Sequence, residues 1–172
     1  MKPTTSAQPS PIRIQATQKN HEVYFTSTNT GGGLIDSEQT CCFPHTSNIS
    51  NKYLAIFYVY DVNALLSVPI KSRAKEELLR SYKKIYSYLE ARGFKPKLHK
   101  LDNETSTDVK EFITAQQAKY QYTPPGMHWS NAADKDVQTY KNHLTAGIAS
   151  LPDDFPIAFW DRLTPQGDWS LN

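Results

Sequence analysis

The chain has 172 residues, 38% of them hydrophobic and 21% charged, enough for one domain whose core needs no disulfide or metal staple. No run of 18 apolar residues exists and residues 1–10 hold one Lys and no apolar segment, which excludes a membrane span and a secretory signal and points to a nuclear or cytoplasmic protein. The two cysteines, Cys41 and Cys42, are adjacent, too close to bridge and too few for a zinc finger, and the net charge of +2 hides ten Lys/Arg against three acids in residues 71–100, then an acidic remainder.

Residues 1–33 are rich in Pro, Ser, Thr, Gln and Asn and end in Gly31-Gly32-Gly33. They read as a disordered arm or linker with one short strand at 22–25. The folded unit is expected over 34–172. Leu34-Ile35 opens a strand that runs into Asp36 and Glu38. YLAIFYVY at 53–60 has no polar face, as a strand buried on both sides requires. A further strand follows at 62–70, with Pro69 placing it near an edge or a strand end. Residues 73–92 form the clearest helix: Leu78, Tyr82, Ile85, Tyr86 and Leu89 share one stripe, and Gly93 and Pro96 end it. Then come a strand at 96–101, a helix at 107–119, a short strand at 120–123, a helix at 130–150 ended by Pro152, and a last helix from Phe155.

Three consecutive strands predict an antiparallel meander, and the later alternation predicts parallel strands joined by helical crossovers. An α/β mixed sheet of about five strands flanked by helices in this order is the ribonuclease-H-like layout, parts of which other α/β folds share. Three acids fall where such a sheet brings side chains together: Glu38 at the end of the first strand, Asp102 at the end of the fourth, and Asp134 in the first turn of the third helix. Carboxylates so placed suit hard cations such as Mg²⁺ or Mn²⁺, a pair of which can assist phosphoryl transfer. Each also has an ordinary reading: a turn former, a helix-dipole partner, an exposed glutamate.

From about His21 onward the chain resembles the integrase core of copia-type retrotransposons, in particular the diatom-like branch. The anchors are NKYLAIFYVYDVNALLSVPIKSR (51–73), PKLHKLDNETS (96–106) and SNAADKDVQTYKNHLTAGIASLPDDFPIAFWDRLTPQ (130–166). The resemblance implies a ribonuclease-H-like fold, a carboxylate triad holding two Mg²⁺ or Mn²⁺ ions, and trimming and joining of DNA ends. The partners it implies are element and target DNA, with a homo-oligomer as the assembly. The family's second Asp, in a Leu-Asp-Asn-Glu context, falls on Asp102. Its first Asp falls on Glu38 and its Glu on Asp134, so two triad positions exchange Asp and Glu. Each carboxylate then moves by about a methylene, and misplacement by about 1 Å can cost metal-centred chemistry a hundredfold. Asp36, on the strand face of Glu38, is the expected partial substitute.

The family's Gly is Cys41 here, and its upstream His/Cys zinc module and downstream portion have no counterpart, so a truncated or degenerate copy is expected. The alternative to an enzyme is a non-catalytic nucleic-acid-binding or interaction remnant. Lys135 and Lys141 follow Asp134 at positions that meet DNA phosphates in a resembling integrase. Lys97 and Lys100 flank Asp102 and could track a backbone, or form a charged edge strand. His128 and Trp129 are stacking or packing residues, Asp61 a turn or supporting acid, and Trp160 a core residue.

Overall fold

The computed structural model describes residues 32–102, 105–122 and 132–172, without the side chains of residues 132–134. The expected strand at 22–25, with His128 and Trp129, lies outside the described residues. The elements are β1 (Leu34–Gln39), β2 (Tyr53–Val59), β3 (Ala64–Ile70), α1 (Lys75–Glu90), β4 (Leu98–Leu101), α2 (Thr107–Ala115), β5 (Lys119–Tyr122), α3 (Ala132–Ala149) and α4 (Thr164–Leu171). The sheet order is β3-β2-β1-β4-β5. β1 to β3 form the antiparallel meander, and β4 and β5 join in parallel, with α1 and α2 as crossovers. The fold is the expected ribonuclease-H-like sheet flanked by helices. Among the described residues no helix is long and apolar enough to cross a membrane.

Period-two alternation divides the sheet's side chains between two cores. On one face Ile35, Phe57, Val68 and Leu101 pack with Leu78, Tyr82, Ile85 and Leu89 of α1 and with Val109 and Ile113 of α2. On the other, Leu54, Ile56 and Leu65 pack with Tyr140 and Leu144 of α3 and with Trp160. α1 starts with Glu76 and Glu77 in its first turn, where the helix dipole favours acids. It ends in a Schellman closure: Phe94 N–H reaches Leu89 O at 3.0 Å and Gly93 N–H reaches Glu90 O at 2.9 Å, with Gly93 at φ 81°.

Several boundaries differ from expectation: the helix expected over 107–119 stops at Ala115 and Lys119 already opens β5, and the strand expected from residue 96 starts at Leu98. Residues 60–62 wind into a 3-10 turn closed by Asn63 at φ 50°, so β3 starts at Ala64. The last helix is two pieces, a 3-10 segment (Ile157–Leu163) and then α4. The 3-10 segment is held by the loop between β1 and β2: Phe43 stacks on Trp160 at 4.3 Å between ring centres, Trp160 Nε1–H reaches His45 O at 2.8 Å, and Asn51 Nδ2–H reaches Asp161 Oδ2 at 2.8 Å. α4 covers the outer edge of β3. Asn172 donates from Nδ2 to Leu65 O and accepts from Leu65 N–H at Oδ1, both at 2.7 Å, and Asp168 accepts from Ser67 N–H at 3.1 Å. β4 is an inner strand between β1 and β5, which overturns its reading as a charged edge.

Candidate active site

β1 and β4 run parallel with Asp36 opposite Lys100, so Glu38 and Asp102 lie one side-chain repeat further along, where the two strands end. This is the carboxyl end of neighbouring parallel strands, the usual place for a site in such sheets. Glu38 and Asp102 line one narrow cleft together with Ser37, Tyr82 and Thr105, with a volume of about 10 Å³, the room of a single water or small ion. Gln39 N–H donates to Glu38 Oε1 at 2.9 Å, and the turn after β4 is closed by Thr105, whose N–H and Oγ1–H both donate to Asp102 O. Behind the cleft, the Tyr82 hydroxyl and Ser37 Oγ are 2.6 Å apart. Burial foremost, with the charges of Glu38 and Asp102 added, holds the Tyr82 phenol protonated well above its ordinary range.

Asp134 lies in the first turn of α3, which packs across β1 and β2, but its side chain is outside the described residues. Among the described residues no group of three or more His, Cys, Asp or Glu could hold a metal. Glu38 and Asp102 both border the cleft and carry carboxylates, the donor chemistry that Mg²⁺ or Mn²⁺ takes.

Asp36 does not join Glu38 and Asp102. It is completely buried under α3, where Tyr60 O–H donates to Oδ2 at 2.7 Å and Lys100 Nζ lies 3.7 Å from the same oxygen. Burial pushes its carboxyl above the ordinary carboxylate range, Tyr60 and Lys100 pull it back, and Asp136 of α3 pushes it up again. Burial raises Asp136 as well. Asp36 Oδ1 and Asp136 Oδ2 are both buried without a hydrogen-bond partner among the described residues. Sequence reasoning missed Asp136 and Tyr60. The available signal was position: Asp136, Tyr140 and Leu144 fall at four-residue spacing, so Asp136 heads the apolar stripe of α3.

The basic candidates separate. Lys97 and Lys135 are exposed. Lys100 is turned inward: it pairs with Asp36 and lies 5.0 Å from the centre of the Tyr60 ring, so the main load on its charge is internal. Lys141 donates from Nζ to Cys41 Sγ at 3.1 Å, linking α3 to the loop after β1. Asp61 accepts from Gly33 N–H at 2.6 Å and fastens the start of β1.

No protein-family model matches the chain, and no curated protein matches it. Solved structures do. The HTLV-2 integrase catalytic core domain in complex with magnesium, in its dimeric form, aligns with a TM-score of 0.61 and 19% identity over 82% of this chain and 86% of that one. The trimeric form of the same domain aligns with a TM-score of 0.60 and 18% identity, over 82% and 85%. The chain shares the fold of these integrase catalytic cores, the ribonuclease-H-like sheet described above. At this identity the likeness is one of fold.

Proposed function

We propose that the chain is the integrase-like domain of a copia-type retrotransposon, acting on DNA by metal-dependent strand cleavage and joining. The observation that carries this is the placement of Glu38 and Asp102 at the ends of adjacent parallel strands, in a sheet built like an integrase core. Glu38, Asp102 and Asp134 would hold divalent magnesium or manganese. Such ions activate an attacking oxygen and neutralise charge on a leaving oxygen. The chain's own groups do the rest. Glu38 and Asp102 supply anionic oxygens from two strands whose separation the sheet fixes. Tyr82, kept protonated beneath them, offers a neutral hydroxyl and adds no third charge. Lys97, Lys135 and Lys141 would meet DNA phosphates, and Lys100 has the smaller part because Asp36 already neutralises it. A homo-oligomer within the nucleus or cytoplasm is part of this reading. The neighbours' dimeric and trimeric forms support the assembly.

The exchange of Asp and Glu at positions 38 and 134 favours a reduced rate. The test is nicking and joining of a labelled duplex with Mg²⁺, Mn²⁺ or EDTA, using Asp102→Asn as the control. Product that requires metal and disappears in Asp102→Asn supports the reading. The double variant Glu38→Asp with Asp134→Glu is expected to raise the rate by at least about tenfold. A folded protein that binds DNA but stays inert in both forms would leave the non-catalytic remnant as the better description.

A further inference from the structure

The turn beyond β1 carries Cys41 and Cys42, both exposed and unbridged, and neither has a part in the cleft of Glu38 and Asp102. Their surroundings differ. Cys42 Sγ meets only a carbonyl, Phe43 O, at 3.4 Å. Cys41 Sγ accepts from the Lys141 ammonium at 3.1 Å, across a hundred residues of sequence. A second cation stands close by: Arg73 Nη2–H donates to Thr40 O at 2.6 Å, one residue before Cys41, and its guanidinium lies 5.4 Å from the centre of the Tyr53 ring. The positive charges therefore come from α3 and from the start of the β3–α1 connection, and Arg73 is held in place by Thr40 and Tyr53. A cation against sulfur favours thiolate over thiol, and the thiolate is the form that attacks a disulfide. In keeping with this, the Lys141 hydrogen bond foremost holds the Cys41 thiol below its ordinary range.

We propose that Cys41 with Lys141 and Arg73 is a thiol–disulfide exchange site for anionic low-molecular-weight disulfides. The Cys41 thiolate attacks one sulfur of the disulfide. A bond forms between Cys41 Sγ and that sulfur, the original sulfur–sulfur bond breaks, and the electron pair leaves with the second sulfur as a thiolate, which takes its proton from water. Cys41 is oxidised and the small disulfide is reduced, so no other oxidant is needed. Lys141 and Arg73 have two roles: they favour the thiolate of Cys41 over the thiol and they attract carboxylates on the incoming disulfide. The adduct removes the charge from Cys41 Sγ and so releases Lys141 from it. The site stands whether or not the chain cuts DNA.

The test is the rate of mixed-disulfide formation at pH 7 on the full chain. The Cys42→Ser variant reports Cys41 alone, and Cys41→Ser reports Cys42 alone. The probes are dianionic 5,5′-dithiobis(2-nitrobenzoate), neutral 4,4′-dithiodipyridine and cationic cystamine, followed by absorbance or by mass. Each unit by which a thiol's pKa falls raises its thiolate fraction about tenfold and lowers its nucleophilicity about threefold. Cys41 should therefore react with the anionic probe faster than Cys42, and its preference for the anionic over the cationic probe should exceed that of Cys42. In the Cys42→Ser background, Lys141→Met should remove that advantage and Lys141→Arg should keep it. Potassium chloride at high concentration should erode the charge preference without any substitution, which keeps the test independent of how Lys141→Met folds. Equal rates for the two cysteines, or a Cys41 rate indifferent to both salt and Lys141→Met, would overturn the proposal. A faster Cys41 with no preference among the three probes would overturn its anion selectivity.

Discussion

Tyr60 donates its hydroxyl hydrogen to Asp36 at 2.7 Å and so ties the end of the β2 hairpin to the middle of β1. Asp36 is fully buried, its Oδ1 has no hydrogen-bond partner among the described residues, and Oδ2 depends on the Tyr60 hydroxyl. Lys100 alone is a poor replacement, because its ammonium stands 3.7 Å away. Tyr60→Phe is expected to cost about 1–3 kcal/mol of stability, the penalty for removing one partner of a buried acceptor. Urea unfolding should show a lower midpoint with an unchanged slope. A variant as stable as the parent would mean that Asp36 is protonated and needs no donor.

His99 offers a pH test. It is fully buried against Tyr82 and Tyr86, with Nδ1 and the Tyr86 hydroxyl 3.1 Å apart and no hydrogen-bond partner for Nε2 among the described residues. Burial pushes its pKa from 6.5 down to about 3. The unfolded chain therefore takes up a proton as the pH falls below 6.5, while the folded chain does not until about 3. The stability linked to His99 is complete above pH 6.5 and is lost as the pH falls toward 3. Asp36, Asp136 and Asp168, raised by burial, act with the opposite sign in the acid range. His99→Phe isolates the histidine. The stability difference between the native chain and this variant should shift against the native chain on acidification, by on the order of 1 kcal/mol per pH unit. Urea midpoints at a series of pH values measure it, and a flat difference would contradict it.

Trp160 joins the 3-10 segment to the loop between β1 and β2 through its ring and its indole N–H, and packs in the core under α3. Trp160→Ala is expected to cost about 3–5 kcal/mol, a large share of a small domain's stability. Asn51→Ala would leave Asp161 without its donor in the same core and should cost less, about 1–3 kcal/mol. Thermal unfolding should rank the two in that order.

Glycine at 33 and at 93 should respond differently to alanine. Both have positive φ, 86° and 81°. A Cβ at Gly33 would stand 2.9 Å from Lys95 O and Lys97 N, against backbone that cannot move aside, whereas one at Gly93 meets nothing within 4 Å. Gly93→Ala should therefore cost about 1 kcal/mol of backbone strain and Gly33→Ala clearly more, since it also disturbs the bonds that start β4. Equal losses would mean that the strand entry relaxes around the added methyl.

The meander, the crossovers and the α1 stripe were legible because each rests on a local period: YLAIFYVY cannot be amphipathic, and Leu78 to Leu89 cannot face two ways. The turn between β2 and β3 was legible from Asp61, but its extent was not, because its tyrosine and valine are good strand formers and the left-handed Asn63 delays β3 to Ala64. The acids show the same limit. Asp36 and Glu38 share a strand face, and nothing in their neighbours in sequence tells which one is buried. That is decided by Tyr60 and Lys100, 24 residues and one strand register away. The inward turn of Lys100 was hidden for the same reason, since a basic run reads as a surface until the opposing strand supplies its acid.

The side chain of Asn172 lies along β3 as a strand neighbour would, giving and taking one hydrogen bond with the same residue, Leu65. An amide side chain thus reproduces one rung of a ladder on a strand that, among the described residues, has no strand partner on that side. The rung does not propagate, because a side chain offers no next residue to pair. Growth of the sheet by strand addition at β3 would first require α4 to lift away, so the helix works as a removable stop on an otherwise open template.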